Sequence, residues 1–307
     1  MQKVHFIAIG NAAMCNLAIA NSKKNNFQIT GSDLDIEEPM LTLLKSSGLQ
    51  PDKPGWFPER IHKGLSAVIC GPEVKDDNAE LLRARELGLN VYSIPEYLFL
   101  QTRSKTRIVV AGSAGRIITT AMIVFVLKSL RIDADYAISK TVKGVNGLVK
   151  LSYESRIAVL EGDERATSII DKRPQFHLYK PHIAVITGAQ WSKDNDSQSK
   201  SAYIQHFKKF ADLMEVQGRL ICFEDDENMN LIMSNLRRDI VAFSYNTPAY
   251  EQIDGENYLI TKKGRVLLQV DGVQNMQNIE AARLACRQIG VTDDQFFSVI
   301  GNFEGVD

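Results

Sequence analysis

The chain has 307 residues, enough for two domains at about 150 residues each. Hydrophobic residues make up 44% and charged residues 24%, globular proportions that exclude disordered, collagen-like and coiled-coil chains. Its 36 cations against 37 anions leave a net charge of −1, so no basic excess favours nucleic acid. The first apolar run, KVHFIAI (3–9), reads as a strand followed by Gly10 and a helix over about 12–24. A second strand (27–31) ends at Gly31-Ser32-Asp33, and a helix is predicted near 37–48. Strand 66–70, helix 78–88 and strand 90–93 continue the alternation to about residue 100. Strands alternating with helices at this spacing imply a parallel sheet with helices on both faces.

Residues 101–106 (QTRSKT) are polar and read as a linker. Alternation then restarts with strand 107–112 and a helix over 119–130, apolar nearly all round and so expected to be buried. Strands 156–163 and 182–188, a helix over 199–215 and strands 219–223 and 242–246 follow. Residues 258–270 read as a hairpin with Lys263-Gly264 at the turn. Helices over 278–290, stopped by Gly290, and 293–300 complete the pattern.

No apolar run reaches the ~18 residues of a membrane span, and MQKVHFIAIG enters a strand without a signal peptide's features, which points to the cytoplasm. Cys15, Cys70, Cys222 and Cys286 make no C-x-x-C and read as buried reduced thiols. The five histidines form no H-E-x-x-H or H-x-H pattern, so a histidine-rich metal site is not indicated.

Four segments are placed to carry chemistry. Gly10-Asn11-Ala12-Ala13-Met14 follows the first strand, where a helix N-terminus suits phosphate. With one glycine it does not meet G-x-G-x-x-G, and an ordinary turn is the competing reading. Asp33 stands where it can bond a ribose or a base. Gly112-Ser113-Ala114-Gly115-Arg116-Ile117 sits between a strand and a buried helix, as a phosphate loop does. Such a loop needs small residues for close approach, a lysine for the β/γ-phosphates and a hydroxyl for Mg²⁺. Arg116 holds the lysine's place with a larger, forked head, and Ile117 has no hydroxyl. Thr119 and Thr120 come roughly a helical turn later. Glu161-Gly162-Asp163-Glu164 at a strand end is either a Mg²⁺ site or a solvated turn. Asn275 and Asn278 near a helix start either cap it or read a purine edge.

In order and spacing these segments resemble the Mur ligases, the ATP-dependent amide-forming enzymes of peptidoglycan synthesis. The match lies in the UDP-N-acetylmuramate–alanine ligase branch, near the murein peptide ligases. HFIAIGNAAM with ITGSD resembles the UDP-binding domain, SIPEYL (93–98) its closing segment, and EGDERATSIIDKRPQFHLYKPHIAVITG (161–188) and IGNFEGV (300–306) the central domain. The resemblance implies that ATP phosphorylates the UDP-N-acetylmuramate carboxylate and that an amine attacks the acyl phosphate. In such phosphoryl transfer, positioning and positive charge dominate.

The departures fall on the residues that would do this. The family loop, approximately G-[ST]-H-G-K-T-T, has lost its lysine and its hydroxyl here. The resemblance assigns Gly112 to Ile117, Asn275 and Asn278 to ATP, and Gly10 to Met14 with Asp33 to the UDP-sugar. Asn11 stands where glycine is usual. Glu161 is the retained metal carboxylate. Lys193 occupies the region of a metal-binding histidine and, if strands 156–163 and 182–188 are neighbours, should approach Glu161. KDNDSQSK (193–200) is polar enough to face solvent instead.

These readings combine into an α/β chain. A Rossmann-like UDP-sugar domain over 1–104 precedes a P-loop-type ATPase domain over 105–307, and the third domain that the resemblance implies is expected to be absent. The expected function is a catalytically degenerate Mur ligase with residual binding of UDP-N-acetylmuramate or a related UDP-sugar, and with ATP and Mg²⁺ weak or lost. The alternative is an active ligase in which Arg116 replaces the lysine and Thr119 or Thr120 the metal hydroxyl. Neither nucleic acid nor membrane is expected as a partner, and no particular protein partner is indicated.

Overall fold

Alternating apolar strands and helices build a four-stranded sheet and a larger, seven-stranded one. The computed structural model describes residues 1–193 and 199–307. The first unit comprises Met1–Gln101 with Val149–Tyr153 and Ala166–Arg173; the second comprises Thr102–Leu148, Glu154–Arg165 and Pro174–Asp307. The division is therefore not a single cut after residue 104. Residues 166–173 return to the first unit, where the Ile169 N–H donates to the Pro72 carbonyl at 2.9 Å.

In the first unit the elements are β1 (Gln2–Ile7), α1 (Ala12–Ser22), β2 (Phe27–Ser32), α2 (Met40–Ser46), β3 (Ala67–Cys70), α3 (Ala79–Glu86), β4 (Val91–Ser93) and α4 (Ile94–Thr102). The strand order β2-β1-β3-β4 is parallel throughout. The chain leaves β1 toward β2 on one side and later returns to β3 on the other. The carboxyl end of β1 is thus the switch point at which open α/β sheets bind ligands. Under the sheet, His5, Ser32 and Glu80 are fully buried. Glu80 accepts from the Phe57 N–H at 2.7 Å and from the Ser32 hydroxyl, and His5 Nε2 lies 3.3 Å from the same carboxylate. Burial alone would raise the Glu80 carboxyl, but these bonds outweigh it and hold it below the ordinary glutamate range.

Next come β5 (Thr106–Ala111), α5 (Arg116–Ser129), β6 (Asp135–Ala137) and β7 (Val149–Lys150), the last within the first unit, where it packs on α1. The second unit continues with β8 (Ile157–Gly162), β9 (Ile183–Ile186), α6 (Lys200–Asp212), β10 (Arg219–Phe223), α7 (Glu227–Met233) and β11 (Val241–Tyr245). Then follow β12 (Tyr250–Ile253), β13 (Glu256–Thr261), β14 (Gly264–Leu268), α8 (Val273–Arg287) and α9 (Asp293–Ile300). Its main sheet runs β11-β10-β9-β5-β8-β6. β5, β8 and β9 are almost wholly buried, as the continuous apolar runs of a doubly covered parallel sheet require. α5 packs on β5, β8, α8 and α9, and Met122, Val126, Met276, Ile279 and Phe296 fill the core there.

Several expectations change. The anticipated hairpin is two strands of a three-stranded antiparallel sheet, β12-β13-β14. The anticipated linker shrinks because α4 runs to Thr102 and β5 starts at Thr106. Arg103 and Ser104 are exposed, but not all of its polar residues are solvated. Lys105 is buried against Asp135, and Arg107 is fully buried. The Arg107 guanidinium donates to the carbonyls of Thr102, Arg103, Lys105, Tyr179 and Lys180, and to Glu215 at 2.6 Å. The four cysteines are free and buried. Burial pushes the thiols of Cys15, Cys70 and Cys222 up to about 11, so they stay protonated and inert. Among the described residues no helix is long and apolar enough to cross a membrane.

Candidate functional site

In the first unit the turn after β1 is built around Gly10. A Cβ there would lie 2.9 Å from Asp33 Oδ2 and 3.0 Å from Ile36, so a larger residue would push these side chains aside. The Gly10 N–H donates to Asp33 Oδ2 at 2.7 Å, and the Leu34 N–H to Asp33 Oδ1 at 2.8 Å. Asp33 therefore ties the ends of β1 and β2 together. Asn11 is the N-cap of α1: its Oδ1 accepts from the Ala13 N–H at 3.0 Å and the Met14 N–H at 3.5 Å. Those are the orphan donors that would otherwise face an anion. The cap occupies these two backbone donors, and the Asn11 Nδ2 hydrogens have no protein acceptor among the described residues. Ala12 and Ala13 beside it are exposed.

In the second unit the sheet order decides the site. β5 lies between β8 and β9, with Val110 paired to Glu161 on one side and to Val185 on the other. Three strand ends thus meet at the loop 112–115. Gly112 has φ +147 and Gly115 φ +77, conformations that favour glycine. A Cβ would fall 2.3 Å from Thr187 Oγ1 at the first and 2.2 Å from Asn278 Oδ1 at the second. The Ser113 N–H donates to the Gly188 carbonyl at 3.0 Å, and Ser113 Oγ accepts from the Gln190 N–H at 3.0 Å. The Thr187 hydroxyl donates to the Ala114 carbonyl.

Glu161, at the end of β8, has 9% exposure. It accepts from the Ser139 N–H and the Ser139 hydroxyl, both at 2.9 Å. Asp163 accepts from Arg165 Nε at 2.9 Å and Nη2 at 2.6 Å, and from the Arg165 N–H at 2.9 Å. Burial would raise Asp163, but Arg165 and the charge of Arg116 hold it below the ordinary aspartate range. Arg116, the first residue of α5, puts Nε 3.7 Å from Glu161 Oε1 and Nη2 3.4 Å from Asp163 Oδ1. Its Nη1 donates to the Gly112 carbonyl at 3.4 Å. Glu164 accepts instead from the buried Tyr203 hydroxyl.

This corrects the expectation for Lys193. β8 and β9 are not neighbours, because β5 separates them, so the loop after β9 does not bring Lys193 to Glu161. Lys193 is exposed, and among the described residues the cation facing Glu161 is Arg116. The rest of the polar stretch, 194–198, lies outside the described residues. A second correction concerns Asn275 and Asn278. α8 begins at Val273 with Gly272 as an N-cap that makes no side-chain bond, so both asparagines lie inside the helix. Asn275 Nδ2 donates to the Asp271 carbonyl at 2.8 Å, and Asn278, 1% exposed, packs its amide against Gly115. That contact joins two segments about 160 residues apart, and the residue pattern carried no signal for it.

A Mg²⁺ site does not fit these donors. Glu161 already takes Ser139 and Arg116, the Ile117 side chain has no oxygen, and the Thr120 hydroxyl donates to the Arg116 carbonyl at 2.7 Å. Thr119 Oγ1 is buried without a hydrogen-bond partner. Among the described residues no group of three His, Cys, Asp or Glu side chains can hold a metal.

The two-sheet architecture and the chain order are shared with known proteins. The UDP-N-acetylmuramate–L-alanine ligase of Arthrobacter sp. (strain FB24) is 28% identical over 321 residues, covering 99% of this chain and 64% of that protein. The UDP-N-acetylmuramate–L-alanine ligase of Carboxydothermus hydrogenoformans is 28% identical over 304 residues, covering 95% of this chain and 63% of that protein. Over nearly its whole length the chain is similar to Mur ligases. It spans slightly under two thirds of the length of these relatives. Its fold matches the crystal structure of the UDP-N-acetylmuramate:L-alanyl-γ-D-glutamyl-meso-diaminopimelate ligase from Neisseria meningitides. The TM-score is 0.87 at 21% identity, with 100% of this chain and 99% of that one covered. No family profile matches the chain.

Proposed function

We propose that this Mur ligase relative binds UDP-N-acetylmuramate, or a related UDP-sugar, in its first unit and does not ligate an amine to it. The observation that carries the reading is the supply of hydroxyls at the start of α5. Phosphoryl transfer from Mg·ATP needs a metal held beside the loop. Here the Ile117 side chain offers no oxygen, the Thr120 hydroxyl is committed to the helix backbone, and both Thr119 and Thr120 are fully buried. The same facts count against an active ligase that uses either threonine as its metal hydroxyl.

The first unit keeps what a nucleotide diphosphate needs. Gly10 allows close approach, α1 offers its positive end, and the outward Asn11 amide replaces the backbone donors that its own oxygen covers. The decisive experiment is titration calorimetry of the chain with UDP-N-acetylmuramate and, separately, with Mg·ATP, alongside a phosphate-release assay with L-alanine and with the tripeptide. Binding of the UDP-sugar without ATP-dependent amide formation is expected. Turnover of either amine, or micromolar Mg·ATP binding, refutes the reading.

A further inference from the structure

The donor set that fails to suit Mg²⁺ nevertheless holds a cation. We infer that the Arg116 guanidinium is a resident counter-ion that replaces the divalent metal between Glu161 and Asp163 and keeps metal out. This rests on the reading of the loop as a phosphate loop that no longer transfers phosphate. Three observations carry it. The carboxylates are buried, with side-chain exposures of 7% for Glu161 and 10% for Asp163, and buried carboxylates demand compensating charge. Arg116 is the shielded cation that meets both, at 16% exposure, whereas Arg165, which pairs with Asp163, is 72% exposed. The contacts to the acids are also non-directional. They lie at 3.4 and 3.7 Å, and Nε is buried without a hydrogen-bond partner. Arginine normally earns its place by a bidentate fork. Here the fork is not used on either acid, so charge is what the position selects.

The arithmetic of the cluster makes the inference testable with metal alone. Glu161 and Asp163 contribute two negative charges, and Arg116 and Arg165 two positive ones. Removing Arg116 leaves one negative charge in excess, beside carboxylates already aligned by Ser139 and Arg165. The probe is Mn²⁺ without nucleotide, read by electron paramagnetic resonance and calorimetry on the full chain. Arg116→Met should bind Mn²⁺ at least ~10-fold more tightly than the unsubstituted chain, because the shielded charge is gone. Arg116→Lys should stay as metal-blind as the parent, since it keeps the cation. Arg116→Met with Glu161→Gln should lose the gain. Arg116→Gln, which can still donate to the Gly112 carbonyl, serves as the neutral variant if Arg116→Met melts early. Glu161→Gln alone should leave the parent's Mn²⁺ affinity unchanged. A parent chain whose Mn²⁺ binding falls in Glu161→Gln overturns the inference, as does a folded neutral variant with no gain. Neither outcome depends on whether UDP-N-acetylmuramate binds, so a failure here is distinguishable from a failure of the proposed function.

Discussion

Asn11→Asp separates the two jobs given to Asn11. The aspartate is isosteric and caps a helix about as well as asparagine, so the bonds from Ala13 and Met14 to the side-chain oxygen survive. A negative charge at a helix N-terminus is also favourable. Stability should therefore stay within ~0.5 kcal/mol of the parent. The outward atom changes from a donor to a charged acceptor. Against a bound diphosphate, the lost charge-assisted hydrogen bond alone is worth about 1.5–3 kcal/mol. Repulsion between unit charges about 5 Å apart adds roughly 3 kcal/mol at an effective dielectric constant of 20, less after screening by salt. A conservative total of ~2 kcal/mol weakens UDP-N-acetylmuramate binding about 30-fold. Calorimetry at low and moderate salt, with a thermal melt on each sample, reads both quantities. The loss should shrink as salt rises. Unchanged affinity in a variant with an unchanged melting temperature would refute the placement of the diphosphate at Asn11.

Three further outcomes follow from the buried polar groups. Glu80 has a folded-state pKa below its unfolded value, so it stabilises the first unit above about pH 4.3 and loses that contribution as pH falls through the folded pKa. Melts between pH 7 and pH 3 should show a steeper acid loss in the parent than in Glu80→Gln; equal slopes would exclude Glu80 as the cause. Arg107→Met strips five backbone carbonyls and Glu215 of their donor, which should cost about 3–5 kcal/mol and lower the melting temperature of the second unit by roughly 10 °C. A loss under ~1 kcal/mol by urea titration would mean that water replaces the guanidinium. Gly115→Ala places a Cβ at φ +77 and 2.2 Å from Asn278 Oδ1, and should destabilise by ~2 kcal/mol or more. Adding Asn278→Ala should recover part of that loss, and strict additivity in the double variant would contradict the contact.

The residues themselves determined the alternation of strands and helices, because apolar periodicity is a local property that survives without knowledge of partners. They also determined the two loops after β1 and β5, and they place Arg116 and Ile117 where the pattern that the chain resembles has a lysine and a hydroxyl. Sheet order is different. It depends on which apolar faces pack across the whole unit, so periodicity did not reveal that β5 separates β8 from β9. That single fact moved the counter-ion of Glu161 from Lys193 to Arg116. The same limit applies to 101–106, whose polarity suggested a linker, and to Arg107 at the start of the following strand. Lys105 and Arg107 are buried there because Asp135, Glu215 and the carbonyls of Tyr179 and Lys180, all distant in sequence, join nearby carbonyls as their partners. Asn11 and Asn278 are two asparagines that the chain alone could not tell apart in role. Tertiary structure made one a helix cap with a free amide and the other a buried wedge under Gly115, because hydrogen-bond assignment depends on what the fold brings within 3 Å.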